Sequence, residues 1–183
     1  MNKPHLFLDR DGVINTIEHG FANTIEDFYF DEGALEALAI LAPLFEPIVV
    51  VTNQAGIGYG FMTKKQLEDI HIHMVSEVER AGGRIDRVYY CPGKTSDAPA
   101  CRKPNTGMGL QAKEDFPNID FNNSWMVGDQ ATDIEFGKRL NMKTVRITGT
   151  IQTPTLFEDI QSDFYHANLS EFARNIQSIN KNN

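Results

Sequence analysis

An apolar segment that ends in two acidic residues constrains the fold of this chain more than any other feature. Residues 6–8 are apolar, Asp9 and Asp11 follow directly, and Gly12 then allows the chain to turn. Because side chains alternate along an extended strand, the two carboxylates project from the same face. Ligands of open α/β sheets bind beyond the carboxyl ends of the strands. The junction therefore predicts a ligand site, and two adjacent carboxylates predict a divalent cation that offsets their repulsion.

The remaining apolar segments alternate with helical patterns, as in a parallel sheet covered by helices on both faces. Short apolar segments lie at residues 47–51, 85–90, 124–127 and 143–147. Helical spacing occurs at residues 33–45, 63–80, 106–115 and 131–140, with a weaker pattern at 168–178. The alternation predicts an α/β fold, a three-layer α/β/α sandwich around a central parallel sheet.

The length of 183 residues fits one domain over residues 1–183. Thr63, followed by Gln66 three residues later, predicts a capping box at the start of the longest helix. Two segments interrupt the repeat: residues 16–32, which we expect to form a short lid, and the loop at residues 91–101. The lid segment is too short to form a separate cap domain, so we expect a site open to small substrates.

Charge and hydropathy limit the partners of the chain. The net charge of −8 and pI near 5.1 argue against nucleic acid, whose binding needs a basic face. No apolar run approaches the roughly 20 residues that span a bilayer. The first strand leaves no room for a signal peptide, so we expect a cytoplasmic protein. We also expect a monomer. Cys91 and Cys101 could pair, but a reducing cytoplasm favours free thiols.

Three later segments also place polar residues at or near the ends of apolar runs. Thr52-Asn53-Gln54 follows Val51, Cys101-Arg102-Lys103-Pro104 follows the second interruption, and Gly128-Asp129 is followed by Asp133. Taken singly, an Asp-Gly turn, a surface lysine and an acidic helix start are all common. Together, these segments resemble the four motifs of the haloacid dehalogenase phosphatase superfamily, which are an acid pair, a hydroxyl, a lysine and a second acid pair in this order.

The resemblance implies the roles of the catalytic residues. Asp9 would be the nucleophile that forms an aspartyl-phosphate. Asp11 would protonate the leaving alcohol and then activate water, and an apolar flank such as Val13 or Ile14 would raise its pKa. Thr52 and Asn53 would hold the phosphoryl oxygens through hydroxyl and backbone N–H groups. Lys103 would neutralise the charge of the transferring group.

The same resemblance implies a magnesium site and a substrate site. Asp9, Asp129 and the backbone carbonyl of Asp11 would bind Mg²⁺, which prefers oxygen ligands. Asp133 would orient a water molecule or Lys103. The remaining residues assigned to substrate binding, besides Asn53, are Asn15, Gln54 and Arg102.

Five longer segments resemble one branch of the superfamily, which holds the D-glycero-D-manno-heptose 1,7-bisphosphate phosphatases and the histidinol-phosphate phosphatases. They are residues 7–15, 51–57, 89–92, 101–104 and 126–129, and the likeness covers about residues 5–149. Asn15-Thr16 and Glu18-His19-Gly20-Phe21 favour the heptose enzymes. The resemblance thus implies a Mg²⁺-dependent phosphatase acting on the 7-phosphate of a heptose bisphosphate, in nucleotide-activated heptose biosynthesis.

Two alternatives remain open from the sequence. One is a histidinol-phosphate phosphatase. The other is an inactive domain that binds a phosphorylated ligand or a protein, although such a module would not need the acid–base residue Asp11. Nucleic-acid end processing, which also occurs in the superfamily, is disfavoured by the acidic charge.

The loop before Arg102 departs from the pattern of that branch. Members commonly hold a structural zinc there with a Cys-x-His and a Cys-x-Cys pair. Here Cys91 and Cys101 occupy the outer positions, but Gly93 and Pro99 replace the histidine and the inner cysteine. Two thiolates do not complete a tetrahedral site, and we expect His71 and His73 to be surface or groove residues of a helix. We therefore expect no structural zinc.

Overall fold

A six-stranded parallel sheet forms the centre of the molecule. The computed structural model describes residues 3–17, 20–149 and 160–181. The strands are β1 (His5–Leu8), β2 (Ile48–Asn53), β3 (Arg87–Cys91), β4 (Ser124–Gly128), β5 (Lys143–Ile147) and β6 (Phe164–His166). They are arranged in the order β3-β2-β1-β4-β5-β6, and every neighbouring pair is parallel. The predicted α/β fold with a parallel sheet is confirmed.

Helices follow most of the strands, close to where the sequence predicts them. They are α1 (Ala34–Leu41), α2 (Gly56–Tyr59), α3 (Lys64–Arg80), α4 (Gly107–Asp115), α5 (Ala131–Arg139) and α6 (Leu169–Lys181). The capping box is confirmed, because the Thr63 hydroxyl accepts from the backbone N–H of Gln66. Helix α2 and strand β6 were not predicted, since four and three residues are too few to show a periodic pattern.

Two hydrophobic layers cover the sheet, one on each face. Leu6 and Leu8 of β1 belong to the layer formed with α1, α3 and α6, whereas Phe7 belongs to the layer formed with α4 and α5. All three side chains are fully buried. The unbroken apolar character of β1 is thus explained by its central place between two helical layers.

The order of the strands brings the predicted motifs together. Strand β1 lies between β2 and β4, so the chain turns to opposite sides of β1 when it forms these two neighbours. Such a switch point leaves a crevice at the carboxyl ends of parallel strands. Asp9, Thr52 and Asp129 lie at or just beyond the ends of β1, β2 and β4, and therefore line this crevice.

The lid segment is attached to the domain beside the crevice. The N–H of Thr16 donates to the carbonyl of Tyr29, and the N–H of Asp31 donates to that of Ile14. The ring of Phe28 is buried in the first hydrophobic layer. Glu18 and His19 of the lid motif lie outside the described residues. None of the helices in the described ranges is long and apolar enough to cross a membrane.

Candidate active site

Three buried carboxylates meet at the crevice, around one ammonium group. Ligand atoms of Asp9, Asp129 and Asp133 all lie within 4.8 Å of one another. The Lys103 Nζ lies 2.9 Å from Asp9 Oδ1 and 2.6 Å from Asp133 Oδ1. The Lys103 side chain is only 1% exposed, so these ion pairs are shielded from water. The structure thus brings together four residues from three of the sequence motifs.

The electrostatics of this cluster indicate a shortage of positive charge. Burial raises the pKa of Asp9 well above its usual value, repulsion from Asp133 and Asp129 adds to this rise, and Lys103 opposes it. Burial lowers the pKa of Lys103, but attraction to Asp133 and Asp9 outweighs burial and raises it. Three carboxylates around one ammonium therefore fit a divalent cation, and their oxygen donors suit Mg²⁺.

Two glycines allow these acids to approach the main chain. Gly12 has a φ of +80°, and a Cβ placed on it would lie 2.5 Å from Asp129 Oδ2. A Cβ on Gly128 would overlap the side chain of Asp133. Any larger residue at either position would displace a carboxylate of the cluster.

The side chain of Asn53 holds the backbone of the lysine. Its Nδ2 donates to the carbonyl of Lys103 at 3.2 Å, and its Oδ1 accepts from the N–H of Lys103 at 3.0 Å. Both halves of the amide are thereby used to fix the segment that carries the ammonium. The role predicted for Asn53 on the phosphoryl oxygens uses its backbone N–H and stays a prediction.

The carboxylate of Asp11 occupies a separate polar environment from that of Asp9. The guanidinium of Arg10 donates through Nε at 3.1 Å and through Nη2 at 2.8 Å to Asp11 Oδ1. Asn15 Nδ2 donates to the same oxygen at 3.0 Å, and Gln54 Nε2 donates to Asp11 Oδ2 at 2.8 Å. Asp11 is therefore fixed by donors from the two segments that follow β1 and β2.

The expected pKa shift of Asp11 is wrong in direction. Burial does raise the pKa of this carboxyl, but the charge of Arg10 and the hydrogen bonds from Arg10, Asn15 and Gln54 outweigh burial and leave the pKa lowered. Val13 and Ile14 pack in the hydrophobic layer with α1 and α3. An adjacent guanidinium acts more strongly on a carboxylate than apolar neighbours do.

Two of the predicted substrate-binding residues face Asp11 instead of the crevice. Asn15 is fully buried, and Gln54 is 6% exposed. Besides its bond to Asp11, Gln54 Nε2 donates to the Thr52 hydroxyl at 2.9 Å. A buried carboxylate needs donors for its oxygen lone pairs, which explains why both amides turn inward. In the described structure the two amides bind Asp11 and Thr52, and their role as substrate contacts stays a prediction.

A cavity of about 710 Å³ opens above the cluster. The lid contributes Ile17 and Phe21 to its wall, and the loop before Lys103 contributes Thr95 and Ala98. Arg102 also lines it, and the Nη1 of Arg102 is buried with no hydrogen-bond partner in the described part of the chain. Burial lowers the pKa of this guanidinium. An unused donor on a cavity wall is suited to an anionic ligand.

The loop between β3 and Lys103 is closed by a disulfide, so the expectation of free thiols is wrong. Cys91 and Cys101 are bonded, with their Cα atoms 5.4 Å apart. The position of Gly93 has no room for a Cβ, because the ring of Pro99 packs against it. The two residues that replace zinc ligands thus pack together and bring the cysteines within bonding distance. The expectation of free thiols was based on a reducing cytoplasm, and this argument takes no account of how close the loop brings the two cysteines.

Sequence reasoning missed two buried residues next to Asp11. Arg10 is fully buried, and its Nη1 lies 3.2 Å from Nε2 of His71. His71 was expected at the surface or in a groove, but it is 7% exposed and packs near Tyr90. Its place on the helix carries a usable signal, because His71 falls on the same face of α3 as Leu67 and Met74.

Comparisons with known proteins identify relatives of the chain. Residues 100–172 match the HAD-hydrolase-like family model. A D-glycero-beta-D-manno-heptose-1,7-bisphosphate 7-phosphatase of Vibrio cholerae is 43% identical over 141 residues, which cover 73% of this chain and 75% of that protein. The Pasteurella multocida protein of the same name is 34% identical, with coverage of 97% and 98%.

A solved structure extends the likeness to the whole fold. The D,D-heptose 1,7-bisphosphate phosphatase of B. bronchiseptica, complexed with magnesium and phosphate, superposes with a TM-score of 0.83. It is 25% identical in sequence, and the match covers 96% of this chain and 99% of that one.

Proposed function

Because the chain belongs to the D-glycero-beta-D-manno-heptose-1,7-bisphosphate 7-phosphatase family of haloacid dehalogenase-like hydrolases, we propose that it removes the 7-phosphate of a heptose 1,7-bisphosphate. The observation that carries the proposal is the buried cluster of Asp9, Asp129, Asp133 and Lys103 below a cavity lined by Arg102. Such a cluster presents a carboxylate nucleophile beside the positive charge that phosphoryl transfer requires.

The first chemical step uses Asp9 and Asp11. A carboxylate oxygen of Asp9 attacks the phosphorus, the bond between phosphorus and the sugar oxygen breaks, and the carboxyl of Asp11 gives that oxygen a proton. The product on Asp9 is an acyl phosphate. The protein lowers the pKa of Asp11, and the negative charge of a bound phosphate would raise it again by repulsion. This favours the protonated acid when substrate is present.

The second step returns the enzyme to its starting state. The ionised carboxylate of Asp11 takes a proton from water, the water oxygen attacks phosphorus, and the bond between phosphorus and the Asp9 carboxylate oxygen breaks to release phosphate. The Thr52 hydroxyl, which lines the cavity, is available to the phosphoryl oxygens. Lys103 offsets the charge of the transferring group through its contact with Asp9.

Magnesium fits the acidic cluster described above. We assign its binding to Asp9, Asp129 and the backbone carbonyl of Asp11, and it would supply the positive charge that one lysine does not provide. Asp133 lies in the same cluster, and its contact with Lys103 supports a role in orienting the ammonium. Because the net charge is −8, we also propose that the protein does not use nucleic acid, and we propose that it acts as a monomer.

We predict that Asp9→Asn abolishes turnover, because the amide keeps the shape of the side chain but is not a nucleophile. Excess chelator should have the same effect, and added Mg²⁺ should restore the wild-type enzyme but not the variant. Phosphate release from a heptose bisphosphate measures both. Asp120→Asn, a change of a surface acid remote from the cluster, is the matched control. Turnover near the wild-type level in Asp9→Asn would falsify the mechanism.

For Asp11→Asn, kcat should fall by about 10²- to 10⁴-fold with little change in KM, the usual loss for a general acid–base group. The loss should be smaller for p-nitrophenyl phosphate, whose leaving group needs no proton, than for a sugar phosphate. Steady-state kinetics on both substrates test this difference. An equal loss on both would assign the proton transfer to another residue.

Replacing Arg102 tests the choice of substrate. A planar guanidinium can bind a second phosphate with two hydrogen bonds, so Arg102→Ala should weaken use of a heptose bisphosphate much more than use of a monophosphate. Arg102→Lys should recover only part of the loss. Lys94→Ala, which removes a cation outside the cavity wall, is the control. If histidinol phosphate is the better substrate of the wild type, the heptose assignment is wrong while the phosphatase assignment remains.

We also propose that the protein works without structural zinc, supported by the Cys91–Cys101 disulfide and the packing of Gly93 on Pro99. Metal analysis of protein purified without chelators should find less than stoichiometric zinc. Thiol titration in denaturant should detect no thiols before reduction and two afterwards. One zinc per chain, lost in Cys91→Ser, would show that the loop recruits other ligands.

A further inference from the structure

A buried arginine between the two catalytic acids is tied to a helix outside the sequence motifs. Arg10 is fully buried, and its Nε and Nη2 bind the carboxylate of Asp11. The remaining nitrogen, Nη1, lies 3.2 Å from Nε2 of His71. His71 belongs to α3, whose residues do not line the cavity above the acidic cluster. Helix α3 is therefore linked to Asp11 through His71 and Arg10.

The direction of this hydrogen bond follows from chemistry. A guanidinium donates and never accepts, so Nε2 of His71 is the acceptor and the ring is neutral. Burial, followed by the positive charge of Arg10, lowers the pKa of His71 to about 3, which is consistent with a neutral imidazole. The ring also lies 5.8 Å from that of Tyr90, measured between centroids, and so its position is defined by packing as well.

The geometry points to His71 as a positioning residue for Asp11, acting through the guanidinium of Arg10. The inference rests on the acid–base role proposed for Asp11. A long arginine side chain that binds one carboxylate can still rotate about it, and a third fixed contact removes that freedom. His71 provides this contact on the side opposite Asp11. The ring of Phe28, whose centroid lies 5.9 Å from the Arg10 Cζ, packs against the guanidinium but has no nitrogen or oxygen that could accept a hydrogen bond.

The other donors to Asp11 do not replace this contact. Asn15 and Gln54 bind the two oxygens of Asp11, and Gln54 is shared with Thr52. If Nη1 of Arg10 lost its acceptor, a buried donor of a charged group would be left unsatisfied, which is unfavourable. The guanidinium would turn to find another partner, and the carboxylate to which it is bonded would move with it. Proton transfer is sensitive to such displacement.

The experiment compares His71→Gln, whose amide oxygen can accept from Arg10, with His71→Leu, which cannot. His73→Gln is the matched control, because His73 lies on the same helix and contacts Phe28 and Phe30 without a hydrogen bond to Arg10 in the described structure. Each variant is assayed with a sugar phosphate, whose leaving group needs a proton, and with p-nitrophenyl phosphate. Thermal unfolding of each variant reports its folding.

For His71→Leu, kcat on the sugar phosphate should fall by about 10- to 100-fold with KM nearly unchanged, the range expected for a misplaced catalytic group. The fall on p-nitrophenyl phosphate should be much smaller. His71→Gln should keep most of the activity, and His73→Gln should match the wild type on both substrates. If His71→Leu does not fold, His71→Asn, with an amide too short to reach Arg10, takes its place with the same expectation.

Four outcomes would overturn the inference. An equal fall on both substrates would show a general structural role for His71, and so would equal losses in the Gln and Leu variants. If Asp11→Asn itself lacks the leaving-group effect, the acid role fails and this inference fails with it. If Asp11→Asn shows the effect and His71→Leu does not, the proposed function stands and the role of His71 alone is rejected.

Discussion

The buried ion pairs of Lys103 with Asp9 and Asp133 are the interaction on which the rest of the site depends. A buried carboxylate is stable in its charged form only when a cation or several donors compensate for lost hydration. Lys103 is almost completely buried, so it interacts with both acids at short distance and with little screening. This one ammonium joins Asp9, which directly follows β1, to Asp133 of α5, and it comes from neither element.

Several features of the chain serve to place Lys103 correctly. The residue follows a loop and not a strand, so the sheet does not fix its backbone. Instead, the amide of Asn53 at the end of β2 binds its N–H and its carbonyl, and the Cys91–Cys101 bond closes the loop that precedes it. A neutral amide and a covalent link thus fix a charged residue on a non-regular segment. This explains how the position of Lys103 can be well defined although no strand leads directly into it.

The sequence predicts the fold and the acidic cluster because both depend on local patterns. Alternating strands and helices, the capping box at Thr63 and the acids after β1 and β4 all leave a periodic or positional signal. The directions of Asn15 and Gln54 leave no such signal, since an amide at a strand end can face substrate or a buried carboxylate equally well. The disulfide depends on how Pro99 packs on Gly93, which the spacing of two cysteines does not reveal.

The three residues Asp9, Arg10 and Asp11 divide the site into two environments. Alternation along the chain sends the guanidinium of Arg10 away from Asp9, yet its length allows it to bend back to Asp11. The protein groups alone therefore raise the pKa of Asp9 and lower that of Asp11. The proposed mechanism uses Asp9 ionised and Asp11 protonated, and the two pKa shifts run against these forms. A cation at the carboxylate cluster favours ionised Asp9, and the phosphate of the substrate favours protonated Asp11. In the proposed mechanism, a bound cation would therefore lower the pKa of Asp9 and a bound phosphate would raise that of Asp11, so each ligand would shift its neighbouring carboxyl toward the form that the mechanism uses.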